Sequence, residues 1–319
     1  MIIAPKLKKG SHIRVIAPSR SFKIISQDCR DIATNRFKEM GISVSYSRNS
    51  DEIDVFSIQS RITDLHDAFA DESVDAVFTA IGGFNSNELL PYIDYNLIKN
   101  NPKIICGFSD ITALCNAIYA KTGLVTYSGP HFSSFGMIKG FDYTLDYFKK
   151  CLFNTTPFDI APAQSWSDDL WFLDQENRNF VDNSGYWIIN SGQAEGTLIG
   201  GNLGLLDELK GTPYFPDIKG SILFLEHCAE HEVWTFNRNL TALIQHPDFK
   251  SVKGIVFGRF EPENKMTKDM LINIIKSKKQ LDNIPIIANV DFGHTTPIIT
   301  FPIGGRVKID EKNIQIKVF

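Results

Sequence analysis

Lys103-Ile104-Ile105-Cys106-Gly107-Phe108-Ser109-Asp110-Ile111-Thr112-Ala113-Leu114-Cys115 is the stretch on which the fold turns. A short apolar run meets a glycine, a serine and an aspartate, and an apolar-periodic segment then continues to Ala120, with Gly123 as its stop. That order predicts a buried strand, a tight turn and a helix. The alternation extends on both sides. Strand-like runs at Arg14-Ala17, Ile42-Tyr46, Ala76-Ile81 and Leu124-Tyr127 flank it, with helical patterns over Gln27-Met40 and Arg61-Phe69 between them. Strands alternating with helices predict a parallel sheet covered by helices. A helical pattern over Asp142-Phe153 closes this half.

The character then changes. Residues 154 to 186 are rich in Pro, Ser, Asp and Asn, carry Trp166, Trp171 and Phe172, and follow neither a helical nor a strand period. A connecting loop is expected over 156–185, because so long an irregular stretch in a compact protein is a functional loop or a linker. Beyond it, strand-like runs at Tyr186-Ile189, Ala194-Ile199, Ser221-Leu225, Gly254-Phe257, Ile286-Ala288, Arg306-Ile309 and Asn313-Phe319 outnumber helical patterns at Leu203-Leu209, Val233-Gln245 and Lys268-Lys278. The expected organisation is an α/β domain over 1–155 and a smaller, β-rich mixed α/β domain over 186–319. The 319 residues exceed what one core sustains, which agrees with two domains.

Composition narrows the function. With 43% hydrophobic and 22% charged residues the chain reads as globular. A net charge of −4 argues against a nucleic-acid surface, which needs clustered Lys and Arg. No run approaches the roughly 18 apolar residues of a membrane span, and Met1-Ile2-Ile3-Ala4-Pro5-Lys6 does not read as a signal peptide. A cytoplasmic protein with a small-molecule or peptide substrate is expected. Cys29, Cys106, Cys115, Cys151 and Cys228 are scattered without a C-x-x-C pair, so neither a disulfide framework nor a zinc site is expected. His227 and His231 stand four apart, but the glutamate of H-E-x-x-H is missing.

Ser109 opens a helix, where free backbone N–H groups converge. Those groups suit a nucleophile whose oxyanion they would stabilise, and they equally suit a serine or aspartate that merely caps the helix. The turn departs from the G-x-S-x-G elbow, with Ile111 in place of the last glycine. Gly82-Gly83 follows another strand and permits close backbone approach. It lacks the third glycine of a dinucleotide fingerprint and the Lys-Ser/Thr of a P-loop.

A serine nucleophile needs a base. Of His12, His66, His131, His227, His231, His246 and His294, the last stands out: Gly293 and Pro297 bracket it in a loop after the apolar run Ile284-Val290. It reads as a presented base or as a surface histidine. Glu226 ends the apolar strand Ile222-Leu225 and reads as the acid that orients the imidazole, or as a solvated carboxylate at a strand end. Glu230 and Glu232 are nearby rivals.

Gly82-Gly83-Phe84-Asn85-Ser86, Gly107-Phe108-Ser109-Asp110-Ile111-Thr112, Gly200-Gly201-Asn202-Leu203, Phe224-Leu225-Glu226 and Phe292-Gly293-His294 follow one another along the chain. In that order it resembles the LD-carboxypeptidase and microcin C self-immunity family of serine peptidases over essentially its whole length. The resemblance implies a triad of Ser109, Glu226 and His294, with an oxyanion held by the backbone N–H groups of Gly83 and Asp110. It also implies a flavodoxin-like N-terminal domain, a smaller β-rich C-terminal domain, a homodimer with its active site at the domain junction, and no metal or organic cofactor. One branch of the family removes the terminal D-alanine of muropeptide tetrapeptides. The other cleaves the amide joining a peptidyl or aminoacyl group to a nucleotide. A tryptophan-bearing insertion resembles the second branch, and Trp171 is the residue expected to stack on the nucleobase. The expected substrate is therefore a peptidyl- or aminoacyl-nucleotide, with a muropeptide as the alternative and a non-catalytic peptide- or nucleotide-binding protein as the alternative of another class.

Overall fold

The computed structural model describes residues 1–52, 57–229 and 232–317. Glu230 and His231 lie outside the described residues, as does the end of the strand expected over Asn313-Phe319.

The first half holds β1 (His12–Ile16), α1 (Gln27–Glu39), β2 (Ser43–Tyr46), α2 (Ile58–Ala70), β3 (Ala76–Thr79), α3 (Tyr95–Asn100), β4 (Ile104–Cys106), α4 (Ile111–Thr122), β5 (Thr126–Ser128) and α5 (Asp142–Leu152). Local chemistry explains the helix limits. Ser26 and Ser57 each accept an N–H from the first turn of α1 and α2, and Gly123 ends α4 at φ 75°, where a side chain would be strained. The helices bury Cys29, Ala33 and Phe37 of α1 and Ile62, Leu65 and Phe69 of α2 at helical spacing. Phe37, Phe78, Phe132, Phe135 and Phe148 are fully buried together, each contributing about 1.5–3 kcal/mol by leaving water.

The second half adds β6 (Phe158–Ile160), β7 (Ser165–Trp166), β8 (Val181–Asp182), β9 (Trp187–Asn190), β10 (Gln193–Asn202), α6 (Leu203–Glu208), β11 (Ser221–Glu226), α7 (Val233–Ile244), β12 (Gly254–Gly258), α8 (Lys268–Lys276), β13 (Ile286–Val290), β14 (Phe301–Ile303), β15 (Arg306–Asp310) and β16 (Asn313–Lys317).

Two principal sheets result. The first runs β14-β5-β4-β3-β1-β2, parallel except for β14, and its five parallel strands have the flavodoxin-like order 2-1-3-4-5. The second runs β6-β16-β15-β10-β11-β12-β13-β9, with β10 to β13 parallel and antiparallel strands on both flanks. An α/β N-terminal unit and a mixed, β-rich C-terminal unit are thus present.

Two segments differ from the sequence reading. The stretch 156–185 is not free of strands: β6 joins the edge of the second sheet through β16, and β7 pairs with β8. Their partners lie far away in sequence or in a two-residue ladder, too little to impose a visible period. Strand β14 lies late in the chain yet pairs antiparallel with β5 in the first sheet. It carries Pro302, which suits an edge position and masks a strand pattern.

Helix α4 lies between the two units. Residues Ile111 to Ile118 are all buried, because the second unit covers the face that a surface helix would expose to water. The end of β10 docks there: Asn202 N–H donates to Thr112 Oγ1 (2.9 Å) and Asn116 Nδ2 donates to the Gly200 carbonyl (2.9 Å). A Cβ on Gly201 would overlap Thr112, so this approach requires the glycine. No helix among the described residues is long and apolar enough to cross a membrane.

Candidate active site

Ser109 follows β4 directly and sits at φ 59°, a left-handed conformation uncommon for a residue with a side chain. Such a turn lifts the hydroxyl clear of the sheet, as in a strand-to-helix elbow, although Ile111 replaces the usual glycine. No side chain caps α4. Instead the Ser109 hydroxyl donates to His294 Nε2 (2.9 Å), and His294 Nδ1–H donates to Glu226 Oε2 (2.8 Å). The carboxylate fixes the tautomer: it can only accept, so Nδ1 holds the proton and Nε2 faces the serine.

Three strand ends converge to build this chain. Ser109 comes from β4, Glu226 ends β11, and His294 follows β13. Glu226 is not a solvated acid but is 5% exposed. Gly258 and Gly293 make room for it: an added Cβ would lie 3.0 Å from Glu226 Cβ at the first and 3.1 Å at the second, where φ is 111°. Three of the other histidines are occupied elsewhere. His66 Nε2 accepts from Asp94 N–H, His246 Nδ1 caps the turn at Asp248, and His12 bonds Ser45 and Ser73. Glu232 stands at the N-terminus of α7.

Gly82 and Gly83 have different neighbours. A Cβ on Gly82 would come within 3.1 Å of Ser109 Cβ, and one on Gly83 would overlap Ser19 Oγ and the Arg20 side chain. The N–H groups of Gly83 and Asp110 donate to no acceptor among the described residues, and both belong to turns adjoining Ser109. Backbone N–H groups left free beside a serine hydroxyl are the kind of donor that can stabilise a developing oxyanion.

His131 was not singled out by the sequence. It is 2% exposed behind the Ser109 turn, its ring stacked on Phe108 (4.4 Å between centroids), and Phe108 in turn meets His294 at 5.6 Å. Thr79 Oγ1 lies 2.7 Å from its Nδ1 and has Cys106 O as acceptor at 3.3 Å, so His131 Nδ1–H donates to the threonine. Burial, and next the neighbouring His294, push the His131 pKa down to about 3. The available signal was its place in Gly129-Pro130-His131, a loop at the carboxyl end of a sheet strand.

Two cavities flank His294. One of about 490 Å³ is lined by Gly83, Phe84, Ser109, Asn202, Glu208 and Glu261 among others. The other, about 140 Å³, is lined by Phe108, Phe141, Trp171, Phe172, Glu261 and Thr295 among others. Glu261 borders both; burial raises its pKa, against the lowering effect of His294. Trp171 therefore shares a cavity wall with His294, whereas Trp166 is a fastening. The Arg259 guanidinium lies 4.9 Å over the Trp166 ring and pairs with buried Asp291 at 2.6 Å, while Ser167 and Thr296 exchange two backbone hydrogen bonds. Among the described residues no group of three or more His, Cys, Asp or Glu is placed to hold a metal ion.

A hydrogen-bonded chain from serine through histidine to glutamate, set at the strand ends of a two-unit α/β fold, is the arrangement found in serine-type hydrolases. Residues 13–129 match the LD-carboxypeptidase N-terminal domain and residues 195–309 the LD-carboxypeptidase C-terminal domain, so the chain belongs to the LD-carboxypeptidase family. It is 51% identical to the YocD protein of Bacillus subtilis (strain 168), over 96% of this chain and 95% of that one. The murein tetrapeptide carboxypeptidase of Pseudomonas aeruginosa is 26% identical over 81% of this chain and 80% of its own. Among solved structures, an MccF-like protein from Bacillus anthracis superposes over the whole of both chains with a TM-score of 0.98 at 51% identity. The self-immunity protein MccF in complex with glutamyl sulfamoyl guanosine superposes with a TM-score of 0.91 at 28% identity, covering 100% of this chain and 99% of that one.

Proposed function

We propose that the protein is a serine-type amidohydrolase in which Ser109 attacks a substrate carbonyl, His294 takes the hydroxyl proton and Glu226 orients and stabilises the imidazolium. The observation that carries this reading is the unbroken hydrogen-bond chain from Ser109 Oγ through His294 to Glu226. The attack forms a tetrahedral intermediate whose oxyanion would accept from the Gly83 and Asp110 N–H groups. Its collapse expels the leaving amine, which receives the proton from His294 Nε2. Water, deprotonated by the same nitrogen, then releases the acyl group from Ser109.

For the substrate we favour a peptidyl- or aminoacyl-nucleotide. The position of Trp171 on a cavity beside His294 supports it, since an aromatic face there can stack on a base. So does the likeness to MccF, which has been solved with glutamyl sulfamoyl guanosine and with aspartyl sulfamoyl adenosine. A muropeptide tetrapeptide is the second reading, supported by the likeness to a murein tetrapeptide carboxypeptidase. The reading includes a cytoplasmic address, a homodimer and a unit boundary within 156–185. Side-by-side assay of aspartyl sulfamoyl adenosine and a muropeptide tetrapeptide tests it. We expect a higher kcat/KM on the first; hydrolysis of the muropeptide alone would reverse the order, and hydrolysis of neither would favour a binding protein.

A further inference from the structure

The two oxyanion donors of the proposed mechanism come from different turns, Gly83 after β3 and Asp110 after β4. Pairing of the two strands ends at Phe78 with Cys106, so the sheet register does not extend to either donor. Something else must hold the two N–H groups at one spacing, because displacement of a catalytic group by about 1 Å costs roughly 10²-fold in rate.

The Asp110 side chain is 1% exposed and does not cap its helix. Its Oδ2 accepts three hydrogen bonds: from the Ser19 hydroxyl at 2.5 Å, from Asn85 N–H at 3.2 Å and from Ser86 N–H at 2.9 Å. The Ser86 hydroxyl returns a bond to the Asp110 carbonyl at 2.7 Å. The two turns are thus tied in both directions, within three residues of Gly83. Ser19, from the loop after β1, packs against Gly83 on its other side. Hydrogen bonds to a carboxylate are about twice as strong as neutral ones.

We propose that the Asp110 carboxylate is a positioning residue for the oxyanion site, bracing the Gly82–Ser86 turn against the nucleophile turn so that the Gly83 and Asp110 N–H groups converge. The inference rests on Ser109 being the nucleophile. The substitution Asp110→Asn keeps an oxygen acceptor on a side chain of the same shape, whereas Asp110→Ala removes the brace.

A fluorophosphonate probe, from whose phosphorus the serine oxygen displaces fluoride, separates positioning from folding. Final labelling stoichiometry counts intact sites, and the labelling rate per site reads oxyanion stabilisation. Asp110→Ala is expected to label about 10²–10³ times more slowly per site, the loss typical of a missing oxyanion donor, with a matching fall in kcat and KM within about threefold. Asp110→Asn should stay within about tenfold of the parent. Should Asp110→Ala not fold, Ser19→Ala decides, with an expected slowing of about 3–10-fold from one lost carboxylate bond. A per-site rate equal to the parent's in Asp110→Ala, or in Ser19→Ala if that variant must decide, overturns the inference while leaving Ser109 in place. Labelling that persists in Ser109→Ala overturns both.

Discussion

Replacing His131 by phenylalanine should change how stability depends on pH. The folded protein holds this imidazole neutral, its pKa moved from the ordinary 6.5 to about 3 chiefly by burial. Below pH 6.5 the unfolded chain binds a proton here that the folded chain does not, so unfolding takes up a proton and stability falls as pH falls toward 3. Above pH 6.5 the contribution is fully present. At about 1.4 kcal/mol per unit, the whole span is on the order of 5 kcal/mol, and about 3 kcal/mol of it is lost by pH 4.5. Phenylalanine keeps the stack on Phe108 and removes a buried ring nitrogen, Nε2, that has no partner among the described residues. Against this it loses the Thr79 hydrogen bond, so near neutrality the two effects offset to within about 1–2 kcal/mol. Urea unfolding followed by tryptophan fluorescence between pH 7.5 and 4.5 reads the difference. His131→Phe should lose less stability on acidification and become the more stable protein near pH 4.5. Parallel curves for the two proteins would refute the reasoning.

Further outcomes follow from the same geometry. Glu226→Gln preserves the shape of a buried side chain but not the tautomer it imposes on His294, so kcat should fall by about 10³–10⁴ with KM little changed, measured by steady-state kinetics. Gly83→Ala places a methyl group on Ser19 and Arg20; the displaced turn should cost at least about 10² in kcat, while a loss below threefold would argue that Gly83 donates nothing. Trp171→Ala should lower kcat/KM for an aminoacyl sulfamoyl adenosine by about 10–100-fold and for a muropeptide by much less; equal losses would remove the stacking argument.

Much of the site was legible because open parallel sheets present ligand-binding residues at the carboxyl ends of their strands. Ser109, Glu226 and His294 each stand just past an apolar run, and the structure joins all three. Two of the structural alternatives give way to packing that no sequence carries: Ser109 bonds His294 instead of capping its own helix, and Glu226 is buried instead of solvated. The elbow itself was obscured, since a left-handed serine leaves no composition signal when Ile111 occupies the usual glycine position. His131 and the Asp110 brace were hidden for a related reason. Their partners, Thr79, Ser19 and Ser86, lie between 24 and 91 residues away, and only the packing of the loops brings them together. Strand β14 was missed because its partner belongs to the other half of the chain.

The central claim is that Ser109 carries the reaction. Ser109→Ala, tested on whichever substrate the parent protein hydrolyses, should retain the parent's unfolding transition and lose at least about 10⁴-fold in kcat, since the remaining triad residues have nothing to activate. A variant that turns over within tenfold of the parent would contradict the account.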